Sequence, residues 1–495
     1  MSKKILFFID NNLIHFGIAK YLQDISNHDL FVIFDTHGSN PQKFFENQKI
    51  INFKKSWVLA ISKQNKNPDL NYLENFEKQL KINVWKIAFS ERRFYKYDKF
   101  YKFNREEILS IIEQECKFFG KILDEIKPDV LCIKTTDWHD GHLLKEICKA
   151  KGIKILMLTP TLFRNNWAIL EDLDEFDFEN IEEKSEKNSD QLMKYLKEHS
   201  VNKKIGFALK EFERHNFKII SKWIFNNLLK NNSTITNFWK YYGQNNVKMI
   251  LSGLTHVFVK KKHEIFFDRV STKIINDNEK FIYFPLHFQP ERRLLIGAPF
   301  HENQFELICN IAKSIPISHQ LFVKEHPLMA LQGWRNPVEY EKILRLPNVK
   351  LIHPKVSNEE LLKKCSLVIS IAGTTALEAN FFQKPSIIFV KSSYSSLSSI
   401  QNISNMDELS TVIKHMLTKK ISNKELTEYI NEIEKRSFNV DLITIKKVMH
   451  DYFYHDGITP DCIIDEGKMR SFLNKFSSEF LILAKKYNNE INKLN

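Results

Sequence analysis

Short apolar runs alternate with stretches of helical periodicity along most of the chain. The first run is Lys4-Ile5-Leu6-Phe7-Phe8-Ile9, ending at Asp10; a helical stretch from about Leu13 to Leu22 follows, then a second run, Leu30-Phe31-Val32-Ile33-Phe34. Runs of this length with polar boundaries predict buried strands. Over 105–127, Ile108, Ile111, Ile112, Cys116, Phe119, Ile122, Leu123 and Ile126 recur at helical spacing, and the pattern stops before Pro128. A strand Val130–Ile133, a loop from Thr135 to Gly141, a helix from Leu143 to Ala150 and a strand Ile155–Leu158 come next. Strands alternating with helices predict a mostly parallel sheet covered on both faces. Residues 1–165 therefore read as one Rossmann-like domain.

Residues 166–279 break this rhythm. From Glu171 to Asp190 the chain is acidic without apolar periodicity, which reads as a surface excursion. Residues 203–270 carry thirteen Lys and Arg against four Asp and Glu, interleaved with Phe207, Phe212, Phe217, Trp223, Phe225, Trp239, Tyr241 and Tyr242. A basic aromatic helix suits an anionic membrane surface; a packed interdomain helix with a solvated basic face has the same pattern. A second αβ series fills 280–405: strands Phe281–Phe284, Gln320–Val323, Val349–Ile352, Leu367–Ser370 and Ser386–Val390, with helices Asn303–Ser314, Asn358–Lys364 and Gly373–Phe382 between them. Residues 406–495 read as a helical tail. The expected fold class is α/β, two Rossmann-like domains facing a central cleft with additional helices, and ligands in such sheets sit at the carboxyl ends of the strands.

A chain of 495 residues exceeds one ordinary core, and 43% hydrophobic with 27% charged residues is a globular balance. The N-terminal apolar run of about five residues is shorter than a signal-peptide core, and no segment approaches the ~20 apolar residues of a membrane span. Cys116, Cys132, Cys148, Cys309, Cys365 and Cys462 are scattered without metal or redox spacing. A cytoplasmic protein is expected. The net charge of +13 favours anionic partners, though solubility alone can account for it.

Three motifs fall at strand ends of the second series. Ser370-Ile371-Ala372-Gly373-Thr374-Thr375-Ala376-Leu377-Glu378 ends a strand in a tight turn and opens a helix. Free amides and hydroxyls there suit a nucleotide phosphate, and Glu378 suits ribose or sugar hydroxyls; ordinary helix capping is the bland alternative. Lys324-Glu325-His326-Pro327 delivers a cation, an anion and an imidazole where they can neutralise a departing phosphate. A lone loop of this kind is weak, and His353-Pro354 repeats the dipeptide. Pro285-Leu286-His287-Phe288-Gln289-Pro290-Glu291 places His287, Gln289 and Glu291 in a proline-bounded loop, which turn chemistry alone also explains.

Taken in chain order, Pro285–Glu291, Lys324–Pro327, Pro347-Asn348-Val349, Gly373–Ala379 and then Lys384-Pro385, the motifs resemble the capsule polysaccharide biosynthesis family that includes Kdo transferases. The resemblance covers about 280–395 well and the N-terminal half in outline. It implies a GT-B fold, a CMP-activated acidic sugar such as Kdo as nucleotide-sugar donor, a glycan or glycolipid acceptor, and a role in surface polysaccharide assembly. It makes His326 the residue contacting the donor phosphate, with Lys324, Glu325, Pro327, His287, Gln289, Glu291, Gly373, Thr374, Thr375 and Glu378 around the donor.

A carboxylate from the N-terminal domain is expected as base, either Asp140 or Asp137 in Thr135-Thr136-Asp137-Trp138-His139-Asp140-Gly141, unless that aspartate caps the following helix. Arg164 and Asp10 are acceptor-side candidates. Asp172-Leu173-Asp174 lies in the acidic excursion, so neither a metal nor a cofactor is expected. Peripheral contact with an anionic inner membrane remains open, and no nucleic-acid module is evident. Three alternatives stand beside the transferase: a teichoic-acid-type CDP-polyol phosphotransferase, a sugar-nucleotide epimerase, and a non-catalytic membrane-peripheral scaffold of a polysaccharide assembly complex. The Gly373-Thr374-Thr375 turn departs from the acidic-Ser-Ser turn of the first.

Overall fold

Two sheets carry the fold in the computed structural model, which describes residues 2–494 apart from 11, 37–38, 62–66, 96–100, 164, 173–186, 200–245 and 454–463. The first contains β1 (Lys4–Asp10), β2 (Asp29–Asp35), β3 (Lys55–Val58), β4 (Val130–Lys134), β5 (Lys154–Pro160) and β6 (Asn166–Leu170). The second contains β7 (Phe281–Pro285), β8 (Gln320–Lys324), β9 (Val349–Ile352), β10 (Leu367–Ser370), β11 (Ser386–Ile388) and β12 (Ile400–Asn402). A late strand, β13 (Phe438–Asn439), returns to the first sheet.

The orders are β13-β6-β5-β4-β1-β2-β3 and β12-β11-β10-β7-β8-β9. Every pairing in the second sheet is parallel; in the first, β6 joins the parallel set antiparallel to β5, and β13 pairs antiparallel with β6. This is the doubly wound Rossmann order, present twice, as the apolar runs predict. The central strands are legible because both faces are covered: the interior of β1 and all of β10 are buried.

The helices that bear on function are α1 (Ile14–Ile25), α2 (Arg92–Tyr95), α3 (Arg105–Ile126), α4 (His139–Ala150), α5 (Asn246–Val270), α6 (Pro327–Gln332), α7 (Thr374–Phe381) and α8 (Ser477–Asn492). Two of the boundaries that differ from expectation have a clear local cause. Helix α4 starts at His139 rather than Leu143, because its first turns bury the polar residues His139, Asp140 and His142, which carry no apolar signal. Strand β11 ends at Ile388 rather than Val390, where Phe389 and Val390 turn to donate to Ile371 O. In the acidic excursion, Glu171 pairs with Lys154 and Asp172 with Lys145 at 2.8 Å, and 189–199 is helical. Most of the basic stretch, 203–245, lies outside the described residues; its end forms α5.

The end of the chain, from Phe438 on, does not stay with the second sheet. Val440, Leu442, Ile445, Phe472, Phe480 and Tyr487 share one core with Ile5, Phe7, Ile14 and Phe16. Helix α8 lies so close on α1 that a Cβ on Gly17 would approach the Phe480 ring to 2.3 Å. Among the described residues, no helix is long and apolar enough to cross a membrane.

Candidate active site

Between β7 and β10 the second sheet changes direction: β8 and β9 continue on one side, β11 and β12 on the other. Loops leaving the two strands diverge, and the crevice between them is where such sheets take ligands. From β7 comes His287, whose Nε2 stands 3.3 Å from Ser370 Oγ at the end of β10. The amide of Gly373 donates to the same Ser370 oxygen, 3.1 Å. A Cβ at 373 would fall 2.7 Å from that oxygen and 3.3 Å from His287 Cε1, so this turn requires glycine. Tyr394 Oη donates to Gly373 O at 2.9 Å and Arg293 Nε to Ala372 O at 3.0 Å, which fix the turn from either side. Gly373 is the N-cap of α7 and contributes no side-chain cap, so Thr374 and Thr375 open the helix with amides directed at the crevice.

The Lys324–Pro327 loop arrives from β8. Lys324 is buried and donates to Asn358 Oδ1 at 2.6 Å, an oxygen that also receives Tyr283 Oη at 3.1 Å. Burial pulls its ammonium down to about 8, against the opposing field of Glu378. Pro327 begins α6 and His326 caps it: the Leu328 amide donates to Nδ1 at 3.2 Å. Burial pushes His326 down to about 4, with Glu325 opposing and Arg335 and Lys324 reinforcing. With Nδ1 accepting, the neutral ring carries its proton on Nε2, as a hydrogen-bond donor. His287 is likewise held neutral, pushed down to about 3 by burial and then by Arg293, His326 and Arg335.

Glu325 has a different place from its neighbours. It is fully buried and accepts from the His326 amide at 2.6 Å, Arg335 Nε at 2.9 Å and Tyr340 Oη at 2.7 Å. Arg335 also donates to His287 O at 2.5 Å and to Gln289 Oε1, so one guanidinium ties the β7 loop to the β8 loop. Sequence reasoning missed it; only its five-donor fork and three partners distant in sequence reveal the role. Gln289 donates in turn to Glu302 O at 2.7 Å. Glu378, buried in α7, is within electrostatic reach of Lys324 and Tyr283. Burial raises the Glu291 carboxyl while Arg293, Arg92 and Arg292 oppose.

The first sheet has its own switch point between β1 and β4. Asp10 closes β1 and pairs with Lys134 at the end of β4, which also lies 3.8 Å from Asp137. Burial disfavours the Lys134 charge, but Asp10 and Asp137 outweigh it and hold the ammonium above its usual range. The Asp137 side chain is 44% exposed. Asp140, by contrast, is 2% exposed inside the first turn of α4 and accepts from the Gly141 amide at 2.7 Å. Arg164 lies outside the described residues. Among the described residues no cluster of three or more His, Cys, Asp or Glu is arranged to hold a metal ion.

Residues 215–433 match the model described as capsule polysaccharide biosynthesis protein. Over this stretch, a little under half of the chain, the sequence is similar to that family. The matched span contains every motif of the second crevice. No curated protein matches the chain. Solved structures similar to it include the β-Kdo 2,7-transferase KpsC of Thermosulfurimonas dismutans, 11% identical over 80% of this chain and 98% of that one, TM-score 0.30. Another is the UDP-GlcNAc 2-epimerase of Methanocaldococcus jannaschii in complex with UDP-GlcNAc and UDP, 14% identical over 87% and 99%, TM-score 0.27. The Neisseria meningitidis UDP-GlcNAc 2-epimerase bound to UDP-GlcNAc is 13% identical over 88% and 99%, TM-score 0.26.

Proposed function

We propose that this chain is a member of the capsule polysaccharide biosynthesis family and a glycosyltransferase that moves a sugar from a nucleotide-linked donor, in particular a CMP-linked acidic sugar such as Kdo, onto a surface or capsular glycan. What supports this reading is the placing, at the ends of the two strands that flank β7, of three groups that suit a phosphate: the start of α7, the Nε2 proton of His326, and the buried Lys324 ammonium. Donors fixed in a low-dielectric crevice stabilise charge growing on a leaving phosphate without reorganising. In this reading Glu325 and Pro327 shape the loop, Glu378 and Thr375 face the nucleoside or sugar hydroxyls, and Asp137 takes the acceptor proton. The transfer is metal-independent, performed at the cytoplasmic face of the membrane on a glycan or glycolipid.

The test is a thermal-stability titration with CMP, CDP, UDP and GDP, on the native chain and on His326→Ala. A ligand at ~100 times its dissociation constant adds about 2.7 kcal/mol. A CMP-selective gain that His326→Ala abolishes is the expected result. A UDP preference would redirect the reading to a hexose transferase or epimerase, a CDP preference to a polyol phosphotransferase. No response to any nucleotide would leave the chain without a donor site and favour the scaffold.

A further inference from the structure

The loops at the two switch points are joined by a pair of arginines that cross in opposite directions. Arg92, on α2 beside the first sheet, donates through Nη1 to Pro290 O in the β7 loop at 3.2 Å, and through Nη2 to Asp137 O at 3.2 Å. Arg292, two residues after Pro290, donates back through Nε to Thr136 O and through Nη2 to Thr136 Oγ1 at 3.4 Å. A planar fork can hold two acceptors at once, which an ammonium on a flexible stem does with less geometric control.

The support behind Arg92 is rigid. Trp138 lies under both Arg92 and Arg93, with guanidinium carbons 4.1 and 4.0 Å from the ring centroid. Glu91 is fully buried, accepts from the Arg93 amide at 3.0 Å and meets His139 Nδ1 at 3.0 Å; His139 Nε2 stands 2.8 Å from Glu115 on α3. The buried Glu91–His139–Glu115 row thus anchors the turn that presents Arg92.

We propose that Arg92 and Arg292 are positioning residues that lock loop 135–138 of the first sheet against loop 285–292 of the second, and so hold the Asp137 carboxylate at the edge of the donor crevice. The lock stands on the hydrogen bonds alone; the purpose given to Asp137 rests on the transferase reading. Asp137 is near enough to bear on the ionisation of Glu291 across the gap.

The test uses the full chain without nucleotide, by hydrogen exchange and solution scattering. Arg292→Ala should raise exchange about threefold or more in amides 135–142, on the other side of the cleft, and widen the scattering envelope. Arg92→Ala should do the same in 285–296. Unchanged protection across the cleft in both variants overturns the lock. Should either alanine variant fail to fold, the lysine variant at that position takes its place with the same readout. A second arm compares CMP affinity with transfer to acceptor in Arg292→Lys: binding within about twofold and turnover down about tenfold is expected. Equal loss of both removes the positioning role. A wild-type chain that ignores CMP sinks the transferase reading, while the exchange result still decides the lock.

Discussion

Arg335→Met should be among the most damaging single changes outside the cores. The guanidinium is 6% exposed and the Glu325 carboxylate fully buried, with Nε and Oε2 2.9 Å apart. Methionine fills much of the same volume, so the loss is electrostatic: Glu325 keeps its bonds from Tyr340 and the His326 amide but loses its cation, and Gln289 and His287 O lose a donor. Breaking one side of a buried ion pair typically costs about 3–5 kcal/mol, because the remaining charge stays out of water. Denaturant unfolding should show a loss of that size at neutral pH, with an unchanged slope if the unfolded chain is unaffected. Glu325→Gln added to Arg335→Met should recover part of it, since the stranded charge is gone. Weakened nucleotide binding should accompany the loss, as the β7 and β8 loops are no longer tied. A loss under about 1 kcal/mol, or a double variant that is simply the sum of the singles, would refute the view of Arg335 as the tie between the loops.

Other expectations follow from single contacts. His139 is pushed up to about 10 against an ordinary 6.5, burial being outweighed by Glu115 and Glu91. A raised folded pKa gives stability that is complete below pH 6.5 and lost as pH climbs through about 10. Unfolding midpoints between pH 6 and 10 should therefore fall more steeply for the native chain than for His139→Gln, and parallel curves would contradict the charged pairing. Gly373→Ala should weaken nucleotide binding and cost about 1–3 kcal/mol, because its methyl displaces Ser370 Oγ from His287; calorimetric titration and denaturant unfolding read both. His326→Asn retains a capping acceptor for α6 and should keep near-native stability, whereas His326→Ala should lose about 1 kcal/mol; both should lose the nucleotide response in the same thermal titration.

The central elements were readable because burial on both faces leaves uninterrupted apolar runs, as in Ile5–Ile9 and Leu367–Ile369. The strands β3, β6, β12 and β13, at or next to the sheet edges, were not: Lys55-Ser56-Trp57-Val58 is half exposed and mostly without alternation, and β12 and β13 are only three and two residues long. The motif loops were legible as loops at strand ends. What separates Lys324 and His326 from Glu325 inside one of them was not, because that depends on Arg335 and Tyr340, ten and fifteen residues away. The same limit hid the crossing of Arg92 and Arg292, each of which reaches an acceptor contributed by the other sheet. Helical periodicity reports which residues are apolar, so a turn that buries His139 and Asp140 leaves no trace in it.

The return of α8 to α1 sets the order in which the protein can mature. On a ribosome the strands of the second sheet, ending at Asn402, emerge before Phe472, Phe480 and Tyr487 exist to cover Phe16 and Ile14. At about 5–20 residues per second, the first sheet waits roughly 15–65 s with one face open. The earliest-made half is the last to be finished, and during that interval its exposed apolar helix is a natural client for chaperones. A chain released before α8 would thus contain an intact second sheet and an unsealed first one, an aggregation-prone species rather than a smaller working protein.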